Sequence, residues 1–244
     1  FLSSIICALF PIGILMGTTA QPEPLFSLLI LLFIIFISKK KYFLSSIFLT
    51  LASMLRYEAW AVICVVSLIY LFEIKNEKKI FSLKILNIIL PVAFILLWAF
   101  LREPFDGKLF GFLFQTQQFA NDALKESNSF QGGFLKIILD FIHYPIVIPA
   151  LFMGISLLFV PFGLKRCIKE NKWILYSGLG ILAFITLSWM FKSNLGLNRH
   201  FVALIPLYST LSAYGLLKII DCRKDFFGKA GLLKKLNIKY TILV

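Results

Sequence analysis

The chain alternates long apolar runs with short polar breaks. Eight runs stand out, at residues 1–17, 24–38, 42–55, 58–73, 81–101, 137–162, 173–191 and 201–220. Inside them the apolar residues follow one another without interruption, as in "FSLLILLFIIFI" at 26–37. A membrane β-barrel would instead alternate in polarity over segments of about ten residues. The pattern predicts an all-α, polytopic helical membrane protein with about eight transmembrane segments. Several runs are short. A helix of fifteen residues rises about 22 Å, less than the ~30 Å hydrocarbon core. Runs two to four must therefore extend through their flanks or be shielded by other helices.

The breaks differ in kind. Placing "KKKY" (39–42) in the cytoplasm and alternating sides puts "EIKNEKK" (73–79), "KRCIKENK" (165–172) and the tail after Lys218 on that same side. With Lys84, these stretches hold 18 of the 25 lysines and arginines. Each is basic on its own, as the positive-inside rule expects of cytoplasmic breaks. The other side receives "TTAQPEP" (18–24), "LRYE" (55–58), residues 102–136 and "KSNLGLNRH" (192–200). In 102–136, Leu113, Phe114, Phe119 and Leu124 fall at helical spacings, which predicts an amphipathic helix at the interface, then a flexible "SNSFQGG". The expected organisation is a helical membrane domain over 1–220, that outer segment at 102–136, and a basic cytoplasmic tail or the start of further sequence over 221–244. The run opening at Phe1 lacks the basic start of a signal peptide and reads as the end of a truncated spanning helix.

Composition agrees. Hydrophobic residues make up 59% and charged ones 15%, with a mean hydropathy of +0.89; soluble domains carry about 25% charged residues. The net charge of +13 would suggest nucleic acid in a soluble protein. Here the charges lie between apolar runs, so the bilayer and its anionic headgroups are the expected partner, and no nucleic acid is. Cys7, Cys64, Cys167 and Cys222 are far apart with no CxxC, so neither a disulfide nor a zinc site is expected. No GxSxG, HExxH, Walker loop or GxGxxG is present.

Candidate chemistry sits at the outer tips. "LRYEAW" (55–60) places Arg56 and Glu58 between two apolar runs, with Tyr57 and Trp60 as interfacial aromatics. Residues two apart on a helix do not face each other, so this pair either straddles a turn or serves different partners. In "QPEPLF" (21–26), Glu23 lies where a helix would begin, favoured there by the macrodipole; it is otherwise a rigidly posed carboxylate at a cavity mouth. Arg199 and His200 open the last run. Arg199 either grips a phosphate with its planar fork or snorkels to headgroups. Asp140 and His143, three apart in "DFIHYP", form a weaker acid–base candidate.

Those stretches, in that order, resemble motifs of the GT-C class of membrane glycosyltransferases: "QPEPLF" an "(S/T)EPLF"-like start to a span, "LRYEAW" an "(L/T)RYE(G/A)" element, and "NRHFVALIPLY" (198–208) an "NRH/RYF…P" opening to a late span. The nearest subgroup is the protein mannosyltransferase-like and aminoarabinose transferase-like proteins (family 39-like), and the resemblance covers nearly the whole chain. It implies transfer of a sugar from a polyprenyl-phosphate donor to a lipid, glycan or protein acceptor, with inversion, at the extracytoplasmic face of the inner or plasma membrane. The catalytic aspartate of the class would lie in an outer loop upstream of Phe1, so no residue here receives that role. Arg56 and Arg199 would hold the donor phosphate. Glu23, Glu58, Tyr57 and His200 would support them or the acceptor. No cofactor is predicted, and metal dependence stays open. The alternatives are a polysaccharide polymerase or ligase, a transporter or lipid flippase, and a structural membrane subunit.

Overall fold

In the computed structural model, residues 2–9, 12, 21–77, 83–125, 134–191 and 198–229 are described. The second half of the first apolar run apart from Ile12, the "SNSFQGG" linker and the tail beyond Lys229 lie outside the described residues. Every regular element among them is helical. The elements are α1 (Leu2–Ala8), α2 (Pro22–Ser38), α3 (Tyr42–Leu55), α4 (Glu58–Glu77), α5 (Leu86–Asp106), α6 (Gly111–Lys125), α7 (Phe134–Ile142), α8 (Ile148–Met153), α9 (Val160–Glu170), α10 (Lys172–Met190) and α11 (Ile205–Lys229). Short stretches of other helical geometry join α7, α8 and α9 into one broken rod and lead into α5 and α11.

Four helical stretches are long and apolar enough to cross a membrane: Leu83–Asp106, Ile138–Glu170, Lys172–Met190 and Arg199–Asp221. Pro22–Ser38 and Tyr42–Leu55 are apolar but shorter. These helices are compatible with a membrane protein. Two boundaries differ from the sequence reading. α9 carries the basic stretch 165–172 as helix up to Glu170, and α11 continues to Lys229. Lysine and arginine are good helix formers whose stems lie along apolar surface, so a basic stretch need not end a helix.

The last helix is the centre of the bundle. In the span Arg199–Asp221, 67% of the window is buried inside the protein, against 17% for Leu83–Asp106. α11 packs against α1 on one side and the broken rod on the other, while α2, α3, α5, α4 and α10 close the rest of the bundle. Phe26, Phe33, Leu49, Val62, Ile181, Ile185, Phe201 and Leu204 form one continuous apolar core through it.

The broken rod is satisfied by its neighbour. Pro145 has no N–H, and its ring crowds the carbonyl of the preceding turn, which widens His143–Val147 into a π turn. The carbonyl of Pro145 itself accepts from the Tyr208 hydroxyl at 2.8 Å. Further along, Gly154 takes φ +52°, a left-handed backbone that suits glycine, and the 3-10 turn Gly154–Phe159 follows. There Ser212 donates to the Ser156 carbonyl at 2.7 Å. α11 thus supplies hydroxyls where the rod loses its own ladder, as an apolar surround demands.

Two ends are distinguishable. At one, α3 and α5 begin and α4 ends: Ser45 donates to Asn87 Oδ1 at 2.6 Å, Asn87 Nδ2 reaches the Tyr70 hydroxyl at 3.4 Å, and Lys84 pairs with Glu73. Tyr70 in turn meets Trp173 edge-on at the start of α10, and Asn171 bonds Tyr214. This end carries Lys39, Lys40, Lys41, Lys165, Arg166 and Lys169. Asn87 is fully buried, so Asn87→Ala takes the amide partner from the Tyr70 hydroxyl and leaves Ser45 with the Tyr42 carbonyl alone. Its expected cost is about 1 kcal/mol, typical of polar contacts between membrane helices, read as a lower melting temperature in detergent.

Candidate functional site

At the opposite end, α2 begins, α3 ends, α4 begins and the turn before α11 begins. Each contributes to a single ion-pair cluster. α3 closes at Leu55, and Arg56 takes an extended backbone, φ −151° and ψ 143°. Two residues later α4 starts at Glu58, with Trp60 Nε1 donating across the turn to the Ser53 carbonyl at 3.3 Å. The extended Arg56 turns its side chain back over the new helix. Its Nε contacts both Glu58 oxygens at 3.0 Å, and its Nη2 donates to Glu58 Oε1 at 2.6 Å. Arg56 and Glu58 therefore straddle a turn and pair across it.

Glu23 comes from α2. Pro22 occupies the first turn of that helix, where a missing N–H is harmless, and Glu23 sits at the favourable end of the dipole. It is buried, with a side chain only 1% exposed, so it does not line a cavity mouth; Arg56 Nη1 donates to its Oε1 at 2.6 Å. Glu23 Oε2 is buried without a hydrogen-bond partner among the described residues.

Arg199 and His200 arrive on the 3-10 turn Asn198–Leu204. α2 holds this turn in place: Ser27 donates to the Val202 carbonyl at 3.0 Å, and Arg199 Nη1 donates to Gln21 Oε1 at 3.2 Å. Arg199 Nε stands 3.4 Å from Glu23 Oε1. Arg56 Nη2 lies 2.6 Å from His200 Nδ1, which lies 3.1 Å from Glu58 Oε1. A guanidinium only donates, so the shorter contact puts a lone pair on Nδ1 and the ring proton on Nε2. The 3.1 Å contact is then a close approach of two acceptors that share Arg56 as their donor.

The arginines differ in what they have left to give. Four of the five N–H groups of Arg56 are committed to Glu23, Glu58 and His200. Burial alone would weaken its charge. The hydrogen bonds and charges of Glu58 and Glu23 outweigh that and hold the guanidinium above its ordinary value. Arg199 is 42% exposed and meets its carboxylate only at 3.4 Å. Two arginines offset two glutamates, so with His200 neutral the cluster carries no net charge. Such a cluster holds position firmly and keeps one guanidinium turned outward.

Tyr57 faces another way. It stacks on Phe112 of α6, centroids 5.9 Å apart, and meets Trp60 edge-on at 5.3 Å. Arg102, still inside α5, lies over Trp98 and Phe112 and pairs with Asp106. Sequence reading treated 102–136 as one outer stretch. The helix runs through Arg102 to Asp106, and the helix expected at Leu113–Phe119 forms as α6, with the side chain of Leu124 outside those described.

Asp140 and His143 stand apart. His143 opens the π turn and stacks on Trp189, centroids 5.2 Å apart. Among the described residues no hydrogen bond or ion pair joins either residue to the Arg56 cluster, and none gathers three His, Cys, Asp or Glu side chains as a metal site. Gln21 was missed by sequence reasoning. It sits two positions before Glu23, and its amide as a link to Arg199 carries no signature of its own.

Comparisons with family models, with curated proteins and with solved structures give no match for this chain.

Proposed function

We propose that this chain belongs to a membrane glycosyltransferase of GT-C type, which moves a sugar from a polyprenyl-phosphate donor to an acceptor at the extracytoplasmic face, with inversion. The observation that carries the reading is the meeting of "QPEPLF", "LRYEAW" and "NRHFVALIPLY" in one ion-pair cluster. Three stretches lying far apart in sequence each send charged side chains to the same place. That place lies at the end away from Lys39–Lys41 and α9's basic turn, which the positive-inside rule puts in the cytoplasm. The reading also takes the shorter helices α2 and α3, the twenty-residue α4 and the first apolar run as spans, which with the four long stretches makes eight.

Roles follow from geometry. Arg199, exposed and loosely paired, receives the donor phosphate. Arg56 fixes Glu58, Glu23 and His200 around it. A leaving phosphate gains from a donor already held in place, because nothing has to reorganise as charge develops. A transporter or flippase would place charges mid-membrane; this cluster gathers at helix ends.

The test is binding by the whole chain in lipid nanodiscs. Calorimetric titration with farnesyl phosphate is expected to saturate, and Arg199→Gln to weaken it about tenfold, the worth of one charge-assisted contact. Arg199→Gln also alters the contacts to Glu23 and Gln21, so the affinities are compared at a temperature where melting curves show both chains folded. Failure of the parent to bind, or equal affinity in the variant, overturns the reading.

A further inference from the structure

One nitrogen of His200 has two neighbours that a single protonation state cannot satisfy. Its Nδ1 lies 2.6 Å from Arg56 Nη2 and 3.1 Å from Glu58 Oε1. Without a proton, Nδ1 accepts from the guanidinium and merely approaches the carboxylate. With a proton it can only donate, and a guanidinium has no lone pair to receive that bond. Glu58 Oε1 then becomes its partner and already stands within hydrogen-bond distance. Arg56 Nη2 keeps its bond to Glu58 Oε1 at 2.6 Å and gives up the one to His200. One proton thus has two effects at this end. Three cations, Arg56, Arg199 and His200, then face two carboxylates, and a guanidinium N–H is released.

The charges that face His200 all belong to this cluster. α2 brings Glu23, the turn between α3 and α4 brings Arg56, α4 brings Glu58, and its own turn adds Arg199. α8, α10 and α11 also pack on that turn. α8 has no charged residue. Lys172 and Tyr176 of α10, and Tyr214 and Lys218 of α11, lie toward the basic end, and Tyr208 gives its hydroxyl to Pro145. The His200 side chain is 15% exposed, so a proton reaches it from solution.

We propose that His200 is a proton-operated switch on the anion site, which takes the donor phosphate more tightly when the imidazole is charged. The inference rests on the reading of Arg199 as the phosphate contact and adds how that contact is regulated. Arg199 is the neighbouring residue on the same turn, so a charge on His200 is felt by an anion held there. By linkage, bound phosphate favours the proton as strongly as the proton favours phosphate.

The probe is farnesyl methyl phosphate, a diester that keeps one negative charge, because a phosphate monoester itself takes up a proton at about pH 6. The whole chain in phosphatidylcholine nanodiscs is titrated with it at about pH 5 and about pH 8, the range over which histidine changes charge. Binding is expected to be about tenfold tighter at the lower pH, what one added charge roughly 10 Å away supplies near a protein surface. His200→Gln is expected to bind equally at both. His143→Gln, which replaces the chain's other histidine, is expected to keep the ratio. Equal affinity of the parent at both pH values overturns the switch and leaves the phosphate reading standing. Absence of binding at both removes the two together. A ratio retained in His200→Gln assigns the proton to another group and overturns the switch. Imidazole nitrogen NMR of His143→Gln, where His200 alone remains, needs no ligand. A bare Nδ1 is expected at the higher pH and two protonated nitrogens at the lower; a proton on Nδ1 at the higher pH, or a neutral ring at the lower, overturns the proposal.

Discussion

Arg56→Met is expected to destabilise the chain more than any other single change at this end. The substitution removes one cation from between two buried carboxylates, Glu23 at 1% exposure and Glu58 at 4%. Both then stay out of water without a donor of the same strength. Breaking a buried pair in this way costs about 3–5 kcal/mol, chiefly from the uncompensated charge that remains. Arg199 does not take over, because it meets Glu23 only at 3.4 Å and, among the described residues, makes no ion pair with Glu58. Arg56→Lys is expected to recover little. An ammonium has three N–H donors on one nitrogen, against the four that Arg56 gives from three separate nitrogens, so it cannot span Glu58, Glu23 and His200 in the same geometry. Neutralising the partners should recover much more: Arg56→Met with Glu23→Gln and Glu58→Gln leaves no buried charge, and removing every member of a pair is far milder than removing one. Thermal unfolding in detergent, followed by circular dichroism, checks all three. A single Arg56→Met that melts with the parent would mean the cluster is wet and weakly coupled. A triple variant no better than the single one would mean that the guanidinium contributes shape rather than charge.

How much of this was legible in the sequence differs between the parts. The helices were, because an uninterrupted apolar run of this length has few other solutions. The two ends were also legible, since lysines cluster in alternate breaks and the contacts at Asn87 and Arg56 fall at opposite ends of the same helices. That Glu23, Arg56 and Arg199 come together follows from the same alternation, which brings their three tips to one side. What the sequence did not show was the division of labour within the cluster. Arg56 and Arg199 look alike as letters. Their difference comes from how the extended backbone at Arg56 throws the side chain inward, while the turn at Asn198–Leu204 leaves Arg199 at the rim. The continuous run 137–162 gave little warning of the π turn and the kink at Gly154, although Pro145, Pro149 and Gly154 lay in plain view. Proline is tolerated in such helices only where a neighbour re-satisfies the backbone, and that neighbour, Tyr208, is sixty-three residues away.

Gly163→Ala and Gly215→Ala are expected to separate the two helices at the heart of the bundle. α9 and α11 cross so closely that a methyl group on Gly163 would overlap the backbone carbonyl of Leu211, and one on Gly215 that of Phe159. Neither obstacle is a side chain that can rotate away. The helices must move apart, and the move stretches the Ser212–Ser156 hydrogen bond in the same crossing. Small residues at such crossings are what let membrane helices approach, because no hydrophobic force between them makes up for lost packing. Overpacking of this kind costs about 1–3 kcal/mol, against a gain of about 1 kcal/mol in helix propensity when glycine becomes alanine. The overlap with backbone atoms decides the sign, and each variant is expected to melt earlier than the parent. Gly180→Ala is the control. Its added methyl would press only on the Val65 side chain, at 3.0 Å, and meet the Ala61 carbonyl at an ordinary 3.4 Å, so the propensity gain should offset most of the crowding. The effect should also travel. α11 continues directly from the turn that carries Arg199 and His200, so a displaced α11 moves both against Arg56 and Glu23. Gly215→Ala should therefore weaken farnesyl phosphate binding at a temperature where the variant is still folded, although Gly215 lies more than four helical turns along α11 from His200. Unchanged melting in both glycine variants would show that the crossing is looser than its backbone geometry implies. Unchanged binding in a destabilised Gly215→Ala would show that the tip is held by α2, through Ser27 and Gln21, independently of the helix beneath it.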